Sequence, residues 1–192
     1  MLPLKVKVII GSVREGRASE KYGNWIAGEL KKRGDMDVEI LDLKDYTMPF
    51  FNQSETPSYK TKPYAEPTVV KWTAKIAEAD AYVIAAPEYN HGYSAVLKNA
   101  LDWVYQEWNN KPVAFVTSGS VAGGRVVEQL RLVAVELQMH PIRNAIHLPY
   151  DVVMSLNKGT PASDVFAPFA ERAKGLGDQL AWWAKALKAA RG

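Results

Sequence analysis

Short apolar runs alternate with stretches of helical periodicity along most of the chain. Runs of strand length and β-branched composition predict five strands, at residues 6–10, 38–43, 81–86, 113–116 and 142–148. The first, third and fourth runs are nearly continuous, which is typical of strands covered on both faces. The fifth is interrupted by Arg143 and Asn144, which favours a position at the edge of the sheet.

Apolar residues at helical spacing follow each strand. They predict helices around residues 22–33, 69–76, 94–108, 126–137 and 166–187. Five repeats of a strand and a helix predict an α/β protein in which helices cover both faces of a parallel sheet. Five strands suit the flavodoxin-like order 2-1-3-4-5, a three-layer sandwich that would span residues 1–192 as one domain.

Three strand exits are rich in polar residues and glycine. We name them the first loop (residues 12–19), the middle loop (87–93) and the third loop (118–124). In an open α/β sheet, ligands bind outside the carboxyl ends of the strands, where the winding direction reverses. With the order 2-1-3-4-5 this point lies between strands one and three, so we expect the three loops to form one site.

The first loop has the composition of a phosphate site. It follows Gly11, precedes a predicted helix and carries two hydroxyls and two guanidiniums, from Ser12, Ser19, Arg14 and Arg17. Its sequence approaches the triphosphate loop G-x-x-x-x-G-K-[ST], but Arg17 replaces the lysine and Ala18 replaces the magnesium-binding hydroxyl. A monophosphate is therefore favoured over ATP, although Ser19 could instead cap the helix.

The other two loops suit a flat heterocycle. Tyr89, Asn90 and His91 offer polar groups in the middle loop, with Gly92 exposing the backbone, and the glycines of the third loop allow close backbone approach to a ring. No G-x-G-x-x-G follows any strand, so a mononucleotide is favoured over a dinucleotide. The loop at residues 44–67 is long enough to be functional, but its role is left open.

Composition excludes several classes of protein. With 24 Lys and Arg against 21 Asp and Glu, the net charge is +3, and no dense basic run indicates nucleic-acid binding. Cysteine is absent and the three histidines are scattered, which argues against disulfides, thiolate catalysis and a metal site. No run approaches the ~20 apolar residues of a membrane span, and the start of the chain lacks a secretory signal pattern, so we predict a cytoplasmic protein.

The sequence also resembles a known family. Gly11-Ser12-Val13-Arg14 and the middle motif P-E-Y-N-x-G-x-x-x-x-L-K-N-A-L-D-W, which runs from Pro87 to Trp103, are similar to the NADPH-dependent FMN reductases, among them quinone and azo-dye reductases. The similarity extends from about residue 6 to about residue 148. It implies a flavodoxin-like fold that holds FMN noncovalently, with NADPH or NADH as co-substrate.

The resemblance assigns cofactor-binding roles to residues of all three loops. Ser12, Arg14, Arg17 and Ser19 would hold the phosphate, while Pro87, Glu88, Tyr89, Asn90, His91 and Gly92 would line the edge of the ring and Ser118, Gly119, Ser120 and Gly123 would back it. It implies ping-pong hydride transfer from NAD(P)H through the flavin to a quinone, azo compound or free flavin. The flavin carries this chemistry, so no catalytic side chain is required, although His91 could modulate it.

Three further expectations concern partners and individual side chains. An FMN electron carrier that serves proteins without NAD(P)H turnover is the alternative function, but such carriers are typically acidic. Trp103 and Tyr105 lie off the apolar stripe of the third helix, which predicts an exposed aromatic surface and a homodimer or homotetramer. Glu88 is expected to fix its loop as an acceptor, and Asp102 to bond locally or across an interface.

Overall fold

The computed structural model describes residues 2–60 and 62–192. Five parallel strands form one sheet in the order β2-β1-β3-β4-β5, as predicted. The strands are β1 (Leu4–Ile10), β2 (Met36–Asp42), β3 (Ala81–Pro87), β4 (Pro112–Ser118) and β5 (His140–Leu148). The interrupted strand β5 does lie at an edge, where its outer side forms no ladder with another strand.

Within the described residues, seven α-helices connect and flank the strands. They are α1 (Ala18–Lys31), α2 (Pro67–Ala77), α3 (Ala95–Asp102), α4 (Gly124–Glu136), α5 (Tyr150–Asn157), α6 (Ala162–Phe166) and α7 (Ala170–Arg191). Short 3-10 turns occupy Leu43–Asp45, Pro57–Tyr59, Gln106–Trp108 and Ala167–Phe169. In the part of the chain that the structure describes, no helix is long and apolar enough to cross a membrane.

The sheet separates two apolar cores. Because successive side chains of a strand point to opposite faces, Val8 packs with α1 and α7 on one face while Ile9 packs with α2, α3 and α4 on the other. Strand β3 alternates in the same way, with Val83 in the first core and Tyr82 in the second. Burial on both faces explains why the central strands are apolar almost without interruption.

One predicted helix is shorter than expected, and another is shifted along the chain. Helix α3 begins after Ser94, as predicted, but ends at Asp102, and Trp108 enters the core from a separate 3-10 turn. The backbone of Tyr105 leaves the helical region between them, with φ −134° and ψ −67°. The apolar spacing therefore predicted one helix where there are two elements, because both elements supply side chains to the same core. The predicted last helix, over residues 166–187, corresponds to the unbroken helix α7, which begins and ends four residues later than expected, and α5 and α6 were not predicted.

Residues 46–60 and 62–66, which we call the strap, fold over α3. The side chain of Asn99 accepts a hydrogen bond from the Phe51 N–H (2.9 Å) and donates to the Pro49 carbonyl (2.9 Å). The Trp103 indole N–H donates to the same carbonyl (2.8 Å), and the Phe51 ring meets the indole edge-on with 5.1 Å between centroids. Asn99 of α3 and Trp103, which follows it, thus hold the first part of the strap through the strap's backbone and the Phe51 side chain.

This packing contradicts the expected exposure of Trp103. The residue is 1% exposed, since the strap covers the side of α3 that faces away from the sheet, while Tyr105 is half-buried. The helical pattern alone shows that Trp103 lies off the core stripe, but it cannot show that a distant loop returns to cover it. Asp102 bonds locally, as one of the expected alternatives, by an ion pair with Lys98 four residues earlier (2.6 Å).

Candidate functional site

The first, middle and third loops meet at the carboxyl edge of the sheet. The Ser12 hydroxyl lies 2.8 Å from the Tyr89 hydroxyl, which joins the first loop to the middle loop. The Glu88 N–H donates to the Ser118 carbonyl at 2.8 Å, which joins the middle loop to the third. The expected convergence of the three strand exits is therefore present as direct contacts.

The first loop presents unused hydrogen-bond donors. Among the described residues, the backbone N–H groups of Val13, Glu15 and Gly16 have no hydrogen-bond partner, and all three residues are exposed. The Arg14 side chain is exposed as well, with its guanidinium carbon 5.9 Å from the centroid of the Tyr89 ring. Free N–H groups beside a guanidinium form an anion-binding surface.

Ser19 adds a buried hydroxyl to this surface. Helix α1 starts at Ala18, so Arg17 occupies the capping position without a side-chain cap, and the capping role considered for Ser19 is wrong. Ser19 is 1% exposed, and its hydroxyl oxygen has no hydrogen-bond partner among the described residues. A buried hydroxyl without a partner is costly, and a ligand at the first turn of α1 would remove that cost.

Arg17 lies behind the first loop rather than on its surface. Its guanidinium donates to the Ser12 carbonyl at 2.6 Å and forms ion pairs with Asp42 and with Glu20, the latter at 3.2 Å. The side chain is 2% exposed. Of the two arginines expected at the phosphate, only Arg14 therefore points into the open.

The middle loop closes in a tight turn. The N–H and carbonyl groups of Tyr89 and Gly92 bond reciprocally at 2.8 and 3.0 Å, and both central residues, Asn90 and His91, have positive φ angles of 51° and 70°. Positive φ at both central positions is typical of the type I′ turn. The Gln129 amide of α4 donates to the His91 carbonyl at 2.9 Å and supports the tip of the turn.

Glu88 connects the middle loop to α4. One oxygen of its carboxylate accepts a hydrogen bond from Arg125 at 2.6 Å, and the side chain is 4% exposed. The other oxygen, Oε2, has no partner among the described residues. Glu88 thus acts as a loop-fixing acceptor and keeps one acceptor atom unused.

Two glycines of the third loop are required by their surroundings. A Cβ at Gly119 would lie 2.6 Å from the Glu88 Cβ, and one at Gly123, whose φ is +72°, would lie 2.6 Å from the Thr117 side chain. Ser118 donates toward the Tyr22 hydroxyl at 3.4 Å inside the protein, whereas Ser120 is exposed. Burial raises the pKa of the Tyr22 phenol, so this hydroxyl stays protonated.

Several residues that shape the site carried no sequence signal for this role. Asp42 and Arg125 pair with loop residues from distant positions in the chain, and Tyr22 reads as an ordinary core residue of α1. Ser94 was expected only to start α3, but its hydroxyl also donates to the Gly11 carbonyl at the start of the first loop. Among the described residues, no group of three or more acidic, histidine or cysteine side chains is placed to hold a metal ion.

Known proteins with related sequences and folds include several flavin-dependent reductases. Residues 4–152 match the family model described as NADPH-dependent FMN reductase. An NAD(P)H-dependent FMN reductase of Schizosaccharomyces pombe is 38% identical over 152 residues, which cover 78% of this chain and 76% of that protein. An NAD(P)H:quinone oxidoreductase of Solanum tuberosum is 34% identical over 143 residues, covering 71% and 70%.

A solved structure supports the fold independently. The flavoenzyme NAD(P)H:(acceptor) oxidoreductase FerB of Paracoccus denitrificans superposes with a TM-score of 0.72 at 19% identity, covering 92% of this chain and 97% of that one. At this identity the likeness shows the fold alone, whereas the family model covers more than half of the chain. The chain therefore belongs to the NADPH-dependent FMN reductase family, and it is an oxidoreductase that uses FMN with NAD(P)H as co-substrate.

Proposed function

We propose that the three loops bind FMN at the carboxyl edge of the sheet and that the enzyme reduces quinones, azo compounds or free flavin in a ping-pong reaction. The observation that carries this proposal is the first loop, which carries three free backbone N–H groups, the exposed Arg14 and the unpartnered Ser19 hydroxyl within residues 13–19. Such a set matches the several oxygens and the negative charge of a phosphate monoester.

The phosphate end would be held by Ser12, Arg14, Ser19 and the free N–H groups of the first loop. Ser12 is 1% exposed, and its hydroxyl is shared with Tyr89 and with the Arg14 N–H at 3.3 Å. The site needs no magnesium ion, because the guanidinium and the first turn of α1 supply the positive potential. Ala18 in place of a metal-binding hydroxyl is compatible with this.

The ring end would lie against the middle and third loops. The turn from Tyr89 to Gly92 offers backbone groups at the rim, supported from below by Gln129 and Glu88. Gly119 and Gly123 would contribute indirectly, because Glu88 and Thr117 occupy the space of a Cβ at these positions, so the two glycines allow the third loop to pack against its neighbours rather than opening its backbone to a ring. These contacts orient the ring and supply hydrogen bonds along its polar edge.

When bound, FMN supplies the two-electron chemistry, first taking hydride from NAD(P)H and then reducing the acceptor. The protein contributes binding, orientation and electrostatics. His91 is exposed at the tip of the middle loop, which places its imidazole where it could give a proton to an acceptor. A cytoplasmic location remains a prediction from the sequence.

The decisive test is the pigment of the purified protein. We expect a yellow protein that releases FMN on denaturation and oxidises NADPH when a quinone is added in steady state. FMN binding without NADPH turnover would favour the electron carrier that serves protein partners. A colourless protein that also fails to take up added FMN would overturn the proposal.

We also propose that the chain forms a homodimer, through α4 rather than through Trp103. Leu132 and Val135 are 74% and 65% exposed, and with Gln129 they recur every three residues, so they share one face of α4. Gln129 itself bonds the middle loop, which makes this face continuous with the candidate site. Sedimentation over a concentration series should show a dimer, and Leu132→Glu should favour the monomer.

A further inference from the structure

Arg17 is a buried cation whose partners are protein groups. Its guanidinium bonds the Ser12 carbonyl on one side and the carboxylates of Asp42 and Glu20 on the other. Two carboxylates neutralise its charge, and the side chain is 2% exposed. An incoming phosphate would therefore meet Arg14, which is exposed, and not Arg17.

Asp42 fixes the far side of this contact. It is the last residue of β2 and lies in register with Ile10, the last residue of β1, so its carboxylate stands next to the start of the first loop. One carboxylate oxygen pairs with Arg17, and the other accepts the Lys44 N–H at 2.9 Å. Both oxygens of Asp42 are thus used to hold backbone or guanidinium groups in place.

The contact with Ser12 determines the orientation of a peptide group. In a trans peptide the carbonyl and the following N–H point in opposite directions. Arg17 draws the Ser12 carbonyl toward the protein interior, so the Val13 N–H turns outward. Val13 is 43% exposed, and its N–H has no partner among the described residues.

We propose that Arg17 and Asp42 together are positioning residues for the phosphate of the cofactor. They hold the first loop with its N–H groups turned outward, while Arg14 contacts the phosphate directly. This inference rests on the proposed function, and it assigns Arg17 a different role from the direct phosphate contact expected from the sequence. It also gives Asp42, more than twenty residues away in the chain, a share in cofactor binding.

The test compares two ligands that differ by the phosphate. Dissociation constants for FMN and riboflavin are measured by flavin fluorescence with the wild type, Arg17→Met, Asp42→Asn and the double variant. We expect each single variant to weaken FMN binding about tenfold or more and to change riboflavin binding by less than about twofold. Because the two residues act through one contact, the double variant should bind FMN with an affinity no lower than that of the single variant that binds it more weakly.

Glu20→Gln is the matched control, since Glu20 is 50% exposed and bonds the same guanidinium from the solvent side. It should leave the ratio of FMN to riboflavin affinity unchanged. General damage to the fold would weaken both ligands alike, so the ratio separates a positioning role from a structural one. Asp42→Asn preserves the shape of the side chain and an acceptor for the Lys44 N–H.

Two results would overturn this inference alone. If Arg17→Met weakened FMN binding while Asp42→Asn did not, Arg17 would be a direct phosphate ligand. If all variants weakened FMN and riboflavin equally, the pair would serve only the fold. Failure of the wild type to bind FMN would instead overturn the proposed function itself.

Discussion

Charged and polar groups differ in their hydrogen bonding between the two ends of the sheet. At the amino ends of the strands, Asp80 accepts from the Lys5 N–H at 2.9 Å and from Lys188 at 2.8 Å, and Arg191 lies at 3.5 Å. At the carboxyl ends, Arg14 is exposed, and the Ser19 hydroxyl and one Glu88 oxygen are buried without a partner among the described residues. The charged groups Asp80, Lys188 and Arg191 at the amino ends are therefore paired within the protein, whereas the Arg14 guanidinium and two buried oxygen atoms at the carboxyl ends have no hydrogen-bond partner among the described residues.

A second buried charge at the amino ends follows the same rule. The Lys111 ammonium donates to the Ile76 and Ala77 carbonyls at 3.1 and 3.0 Å, where they end α2, and to the Tyr82 hydroxyl at 3.3 Å. Lysine at the last carbonyls of a helix complements the helix dipole. The difference between the two ends teaches that buried charge alone does not indicate a site, since Asp80 and Lys111 are buried but are paired with protein groups.

The largest effect that we predict is on the free energy of unfolding, from a substitution at the amino ends of the strands. Asp80→Ala should lower the free energy of unfolding by about 3 kcal/mol, because the Lys5 N–H and two cations lose a carboxylate whose side chain is only 10% exposed. Denaturant titration measures this loss, and FMN affinity of the folded variant should be unchanged. Asp80→Asn, which keeps an acceptor oxygen, should lose less. A large change in FMN affinity would contradict the inference that the amino ends serve stability and the carboxyl ends serve cofactor binding.

The converse prediction concerns Arg14. Arg14→Ala should weaken FMN binding by about 1.5–3 kcal/mol, because a charged hydrogen bond to the phosphate is lost. The free energy of unfolding of the cofactor-free protein should change by less than about 0.5 kcal/mol, since the side chain is exposed. Equilibrium binding and denaturant titration measure the two quantities. Unchanged FMN affinity would remove Arg14 from the site.

Lys111 gives the amino ends a dependence on pH. Burial lowers the pKa of the ammonium from 10.5 to about 8. Between these two values the unfolded chain binds more protons than the folded one, so this residue makes stability rise as the pH increases from 8 toward 10. We expect the stability of the wild type relative to Lys111→Met to rise by about 1–2 kcal/mol over this range. Denaturant titrations at several pH values would contradict this if the free energy of unfolding changed with pH equally in both proteins.

The sequence predicted the strand order and the three loops because both depend on local patterns. Apolar runs of strand length and polar strand exits are visible in a few neighbouring residues. The rule for open α/β sheets then predicts that the exits lie at one edge of the sheet. The opposite roles of Arg14 and Arg17 were not predictable, since both are arginines of one polar loop. They differ because a carboxylate from the end of β2 meets only Arg17.

The strap shows the same limit. Asn99 and Trp103 belong to the most specific motif of the resemblance, yet both bond the strap and have no hydrogen bond to the three loops in the described residues. Their spacing of four residues places them on one face of α3 but does not say what covers that face. Long-range contacts of this kind depend on where a loop of some twenty residues returns, which local patterns do not encode.

The smallest effect that we predict tests whether strain in the middle loop serves function. His91 has a φ of 70° at the second central position of the turn, where glycine after asparagine is the preferred residue. His91→Gly should therefore raise the free energy of unfolding by about 0.5 kcal/mol, because relief of the left-handed conformation exceeds the added freedom of the unfolded chain. His91→Ala removes the imidazole but keeps the strained conformation, so it separates the two effects. If both variants lowered turnover with a quinone and only the glycine variant gained stability, the role of the imidazole in turnover would explain why a strained residue occupies this position. Full activity in both would show that the turn at the carboxyl ends is strained without a catalytic reason.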